Sequence, residues 1–276
     1  MISFSYENLK GAWKLVVLLR ECVKIYSENG QNLLGHIDLN IPNNKKKEIE
    51  KNGIVHYFAA CAKVAFNNKE LLAVCNTLNE ILFIEEGNNG NYVSWVCSHG
   101  VLGANPCQII YSQSENLLIL ANIEGKLTVN SIKDEKKLNF IKEVDANTKK
   151  TPITGLNIMQ GKTRHYLVSG DFLGKIKLWD LKNMDILLEI NSHARIITSL
   201  DVRNEPCEIL TGSEDSFLNF WKIEEDEKGD VKVSLKVSFR IADQIIVGAK
   251  YLKNGGEAVV SIYDSNEITL LKYEKN

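Results

Sequence analysis

The sequence predicts an all-β protein built from repeated four-stranded antiparallel meanders, and three observations carry that reading. Apolar residues come in short runs or alternations of about four to eight residues bounded by Gly, Asn, Asp and Ser, the signature of strands. No stretch of useful length carries the apolar stripe of an amphipathic helix. The predicted strands also fall into groups that recur along the chain.

Taken in order, residues 15–19, 23–26 and 33–39 read as strands, with a tight turn at Glu28-Asn29-Gly30. Residues 2–6 supply a preceding strand. The next group is 58–64, 71–75, 81–85 and 92–97, followed by 107–111, 117–121, 126–132 and 138–144. Then come 153–158, 166–169, 175–179 and 186–190, and after them 196–202, 209–212, 217–223 and 231–237. The final group, 245–252, 258–262 and 268–273, has three strands.

Aligning the third strand of each group places Tyr26, Ile84, Asn130, Trp179, Trp221 and Leu271 in one register, at successive differences of 58, 46, 49, 42 and 50 residues. A four-stranded propeller blade repeats at about 40 to 45 residues. The long first step contains residues 41–53, a polar segment that reads as an inserted loop between the first and second blades. A lone meander buries one face, so such units are stable only when stacked. The expected architecture is therefore a single β-propeller over residues 1–276 with six readable blades, the last lacking its outer strand. Residues 2–6 could instead close the last blade, and a seven-bladed ring with an incomplete edge is the alternative.

Composition narrows the function classes. Thirty-three Lys and Arg against 35 Asp and Glu give a net charge of -2, leaving no basic field for nucleic acid or an anionic membrane. The basic run Lys45 to Lys47 lies between polar neighbours and reads as solvated loop. No apolar run approaches the roughly 18 residues of a membrane span, and the first ten residues lack a basic n-region and a long apolar h-region, so a protein that is not secreted is expected. Cys22, Cys61, Cys75, Cys97, Cys107 and Cys207 include no Cys-x-x-Cys pair, so buried core thiols in a reducing, cytoplasmic setting are expected. Neither a Gly-x-Gly-x-x-Gly loop, a Walker loop nor a metal-ligating His spacing occurs, so no cofactor or metal is expected.

Two repeats carry specific letters. Leu167-Val168-Ser169-Gly170 followed by Lys175-Ile176-Lys177-Leu178-Trp179-Asp180 resembles the second and third strands of a WD repeat. Ile209-Leu210-Thr211-Gly212-Ser213-Glu214-Asp215 followed by 217–221 is a closer match, although Lys222 replaces the aspartate of the Trp-Asp pair. The chain is thus similar to the WD-repeat family. That resemblance implies a hydrogen-bond network in which the Trp221 indole donates to Thr211, Thr211 pairs with His193, and His193 is held by Asp215. His99 takes the role of His193 in an earlier repeat, whereas Leu173, Asn130 and Ile84 depart from the pattern and imply blades held by apolar packing.

His193, Thr211 and Asp215, with Ser213 nearby, imitate a hydrolase triad, but no nucleophile elbow accompanies them. A noncatalytic platform for other proteins is the leading expectation, resting on fold-level analogy. Its sharpest local candidate is the turn Asp171-Phe172-Leu173-Gly174, where Phe172 and Leu173 are apolar in a usually polar turn and lie on the same face as Arg195. A second reading is a substrate receptor of a cullin-type ubiquitin ligase, since Trp179-Asp180-Leu181-Lys182 resembles an adaptor-docking motif with Lys182 in place of Arg. The family resemblance also admits a subunit of a cytoskeletal or ciliary assembly.

Overall fold

In the computed structural model, the described residues are 3–9, 11–39, 57–97, 105–134, 137–252 and 256–272. They form six antiparallel sheets in which each strand pairs with its neighbour in sequence. Sheet one is β1 (Ser3–Leu9), β2 (Ala12–Leu18), β3 (Cys22–Ser27) and β4 (Leu33–Asp38). Sheet two is β5 (Phe58–Phe66), β6 (Lys69–Asn76), β7 (Ile81–Glu86) and β8 (Tyr92–Cys97). Sheet three is β9 (Pro106–Ser112), β10 (Leu117–Asn122), β11 (Lys126–Asp134) and β12 (Lys137–Asp145). Sheet four is β13 (Ile153–Gln160), β14 (His165–Asp171), β15 (Lys175–Asp180) and β16 (Ile186–Asn191). Sheet five is β17 (Ile197–Asn204), β18 (Cys207–Ser213), β19 (Phe217–Glu225) and β20 (Val231–Arg240). Sheet six has β21 (Ile246–Tyr251), β22 (Glu257–Ile262) and β23 (Ile268–Lys272).

The first three sheets lie in one compact unit, Met1–Thr148, and the last three in another, Lys149–Asn276. The expected inserted loop at 41–53 and His99 lie outside the described residues. The N-terminal strand pairs with β2 as the first strand of sheet one, so the alternative in which it closes the last blade is corrected. The described residues supply no seventh sheet.

Within each unit the core lies in the seams between sheets. Val16, Leu18, Val23 and Ile25 of sheet one pack with Phe58, Leu72 and Val74 of sheet two. Val168, Ile176 and Leu178 of sheet four pack with Ile197 and Ile209 of sheet five. The second strands β6, β10, β14 and β18 are buried along nearly their whole length, because a strand covered on both faces must be apolar on both. The outer strands β4, β8, β12, β16 and β20 are covered less and alternate toward solvent.

The repeat register is written into the hydrogen bonding. Tyr26, Asn130, Trp179 and Trp221 each follow a register shift against the outer strand, between Ile25/Tyr26, Val129/Asn130, Leu178/Trp179 and Phe220/Trp221. An irregularity there bends the strand and re-aims its side chain. A second recurrent shift follows the buried Phe58, Ile153, Ile197 and Ile246 at the start of the first strand in sheets two, four, five and six.

Candidate protein-interaction edge

The turn between β14 and β15 is fixed by a buried carboxylate. Asp171 Oδ1 accepts the backbone amides of Leu173 at 2.9 Å and Lys175 at 3.0 Å, the geometry by which Asp side chains pre-form a turn. Asn76 and Asn122 hold the corresponding turns of sheets two and three in the same way, through Leu78 and Glu80 and through Glu124 and Lys126. This recurring acceptor was legible as Asn76, Asn122 and Asp171 at the end of each second strand, a signal the WD lettering does not contain.

The turn is also pinned to the loop that enters sheet five. The Gly174 carbonyl accepts the amides of Ser192 and His193, both at 3.0 Å, and the Phe172 amide donates to the Pro152 carbonyl at 3.0 Å. Gly174 has φ +79°, and a Cβ there would lie 2.2 Å from the His193 carbonyl oxygen and 2.7 Å from that of Arg195. Glycine is required for both the backbone angle and the approach. Phe172 is consequently displayed at 45% exposure, Leu173 is half-buried, and Arg195 is exposed on the adjoining loop.

Beneath this edge runs a chain of polar contacts that differs from the one the family resemblance implied. Thr211 Oγ1 lies 2.8 Å from His193 Nε2, and His193 Nδ1 lies 3.1 Å from both Asp215 oxygens. Asp215 also accepts the amides of Ala194 and Phe217. Trp221 does not donate to Thr211. Its indole donates to Ser192 Oγ at 3.1 Å, and Ser192 Oγ lies 3.2 Å from Thr211 Oγ1. Asn219 explains the correction, because its amide nitrogen donates to the Ser192 carbonyl at 2.7 Å and holds the serine between indole and threonine. Sheet four makes the direct version, with Trp179 Nε1 donating to Ser169 Oγ at 2.9 Å, so its fixation is not apolar alone. Sequence reasoning missed Ser192 and Asn219, although a hydroxyl just before the histidine was visible.

The triad-like set is wholly committed to structure. Thr211 and Ser213 are fully buried, and Ser213 Oγ accepts the Asp215 amide. Burial, outweighing the attraction of Asp215, lowers the His193 pKa and keeps the imidazole neutral.

A cleft of about 620 Å³ lies among the hairpins at residues 160–166 and 204–207 and the end of β19. Glu225 at its floor accepts the Lys162 amide at 2.7 Å and the Thr163 amide and hydroxyl, and lies 3.9 Å from Arg164 Nε. Burial resists ionisation of Glu225, but the donors from Thr163 and Lys162 lower its pKa. Burial, reinforced by that carboxylate, raises the pKa of Tyr166. Among the described residues, no group of three or more His, Cys, Asp or Glu is placed to hold a metal, and no helix is long and apolar enough to cross a membrane.

Residues 137–273 match the family model WDR54. The chain is also similar to WD repeat domain 54 of Rattus norvegicus and to WD repeat-containing protein 54 of Homo sapiens, at 29% identity over 119 residues in each case. Those matches cover 42% of this chain and 34% of each relative, so the chain is matched to about a third of their length. A chain from a crystal structure of the mitotic checkpoint complex superposes with a TM-score of 0.69 over 98% of this chain and 73% of that one, at 12% identity, which shows the fold. The chain has a β-propeller fold, and its second half resembles the WD-repeat family. The segment from Ile190 to Ile223, where this propeller has the letters most like a WD repeat, lies inside the matched region.

Proposed function

We propose that the chain is a noncatalytic scaffold, a subunit of a larger assembly that holds partner proteins through the edge bearing Phe172, Leu173 and Arg195. One observation carries the reading: an exposed aromatic and an exposed arginine stand on two loops that are pinned to each other by backbone hydrogen bonds. Aromatic and arginine side chains on a pre-organised surface have the makeup of a binding hot spot.

The test is affinity purification from the native source with quantitative mass spectrometry, comparing the chain with a Phe172→Ala, Arg195→Ala variant of unchanged melting temperature. Loss of specific partners from the variant supports the proposal, and an unchanged partner set overturns it. The ubiquitin-ligase reading is less favoured, because Asp180 is taken up by Arg164 and by the amides of Lys182 and Asn183. Six cysteine thiols in no disulfide support a reducing, cytoplasmic setting. Membership of a cytoskeletal or ciliary assembly rests on family resemblance, and imaging of the tagged chain tests it.

A further inference from the structure

The chain has five arginines, and three of them are employed within the fold. The Arg20 guanidinium lies 5.8 Å over the Tyr57 ring. Arg164 pairs with Asp180 at 3.1 Å and donates to the Gly229 carbonyl. Arg203 pairs with Glu208 and stacks 4.8 Å over the Tyr251 ring. Arg195 and Arg240 are exposed, and neither guanidinium has a partner among the described residues.

Each of these two stands beside an exposed phenylalanine. The Arg195 carbonyl faces Gly174 at the end of the turn that carries Phe172, and Arg240 is the cross-strand partner of Phe217, which is 37% exposed. The intervening segments are laced together. The Ala194 amide donates to Asp215 at 2.9 Å, the Glu214 amide to the Ile196 carbonyl at 3.2 Å, and the Ile241 amide to the Ser216 carbonyl at 2.9 Å. The two arginine–phenylalanine neighbours therefore belong to one fixed edge of sheets four and five.

Nearby carboxylates are largely engaged. Asp171 holds its own turn, Asp215 holds His193, and Glu189 pairs with Lys175 and Lys177. On the connecting segments, half-buried Glu214 and exposed Asp243 are the carboxylates without a partner among the described residues, beside two unpaired guanidinium groups. A guanidinium donates two parallel hydrogen bonds to a carboxylate, and a neighbouring aromatic ring covers an apolar side chain. We propose that this edge docks an acidic peptide segment in which carboxylates are interleaved with apolar residues. The inference rests on the interaction reading above and specifies the partner's chemistry.

Fluorescence anisotropy tests it, using the whole chain, a labelled peptide of repeated Glu-Glu-Leu triplets and a Lys-Lys-Leu counterpart. The acidic peptide is expected to bind and the basic one not to. Arg195→Ala and Arg240→Ala are each expected to weaken binding about tenfold, the effect of roughly 1.4 kcal/mol. Arg240→Lys recovers little of that loss, because lysine lacks the fork. Failure of the acidic peptide to bind overturns the inference, as do equal binding of both peptides, unchanged affinity in the double arginine variant, or equal affinity for a single-stranded oligonucleotide of matched charge. If native partners are lost from the Phe172→Ala, Arg195→Ala variant while the acidic peptide fails to bind, the scaffold reading stands and the acidic preference falls.

Discussion

The Thr211 hydroxyl and the His193 imidazole are joined at 2.8 Å, and that contact orients every proton in the network around it. His193 Nδ1 faces only carboxylate oxygens, so it carries the hydrogen and Nε2 accepts from Thr211. Thr211 then accepts from Ser192, and Ser192 from the Trp221 indole. Thr211→Val keeps the shape, leaves the serine donor unpaired and leaves the imidazole acceptor only the Asn219 amide nitrogen at 3.5 Å. The variant is expected to lose about 2 to 3 kcal/mol of stability by urea denaturation, whereas Thr211→Ser retains most of it.

The same histidine sets a pH dependence. In the unfolded chain it titrates near about pH 6.5, and burial lowers its pKa in the fold. The unfolded state therefore binds more protons in the window below that value. The stability contributed by neutral His193 is fully present above the unfolded pKa and is lost as the pH falls through the folded one. The urea midpoint is expected to drop from about pH 7 to about pH 5, with a shallower slope in His193→Gln.

Gly174 and Gly11 separate two costs that a glycine can hide. Both have positive φ, +79° and +75°, but a Cβ at Gly11 meets nothing within 4 Å, whereas at Gly174 it meets two carbonyl oxygens inside 3 Å. Gly11→Ala is expected to cost about 1 to 2 kcal/mol from the backbone angle alone. Gly174→Ala adds the displacement of the 193–195 loop, so its melting temperature should fall further and the edge bearing Phe172 and Arg195 should lose peptide binding.

Asn130 occupies the place of Trp179 and Trp221 but finds no use for its amide. It is fully buried, and neither its oxygen nor its nitrogen has a hydrogen-bond partner. The reason is its register. Asn130 faces Leu118 as Trp179 faces Leu167, and where sheet four offers Ser169, sheet three offers Leu120. Asn130→Leu removes two unpaired polar atoms and is expected to stabilise the chain by about 1 to 3 kcal/mol, read as a higher denaturation midpoint.

These cases show which features were legible in the letters. Strand positions and repeat register were, because a two-residue apolar period and a recurrent turn depend on local chemistry, and the six aligned positions from Tyr26 to Leu271 all fall in third strands. His193, Thr211 and Asp215 were placed together by the resemblance of their letters to a WD repeat, which implied the contact. The insertion of Ser192 was not legible. It depends on Asn219 capturing a carbonyl across a sheet, a contact between residues 27 positions apart that no local pattern encodes. The pairing of Phe217 with Arg240 depended likewise on the exact strand register of β19 and β20.

Glu225 provides a second pH window, distinct from that of His193. Its buried carboxylate ties down the hairpin at residues 161–164 through Lys162 and Thr163, and these donors lower its pKa despite burial. An unfolded glutamate titrates near about 4.3. The stability from the ionised form is present above that value and is lost as the pH falls through the folded pKa. Glu225→Gln keeps the side-chain shape but gives up charge-assisted acceptance, so it is expected to cost about 2 kcal/mol near neutral pH and to flatten the acid limb below about pH 4.3. Hydrogen exchange decides where that energy resides. If Glu225 holds the hairpin, the Lys162 and Thr163 amides exchange faster in the variant while those of β14 stay protected. Uniform acceleration across sheets four and five would mean that the carboxylate supports the whole seam.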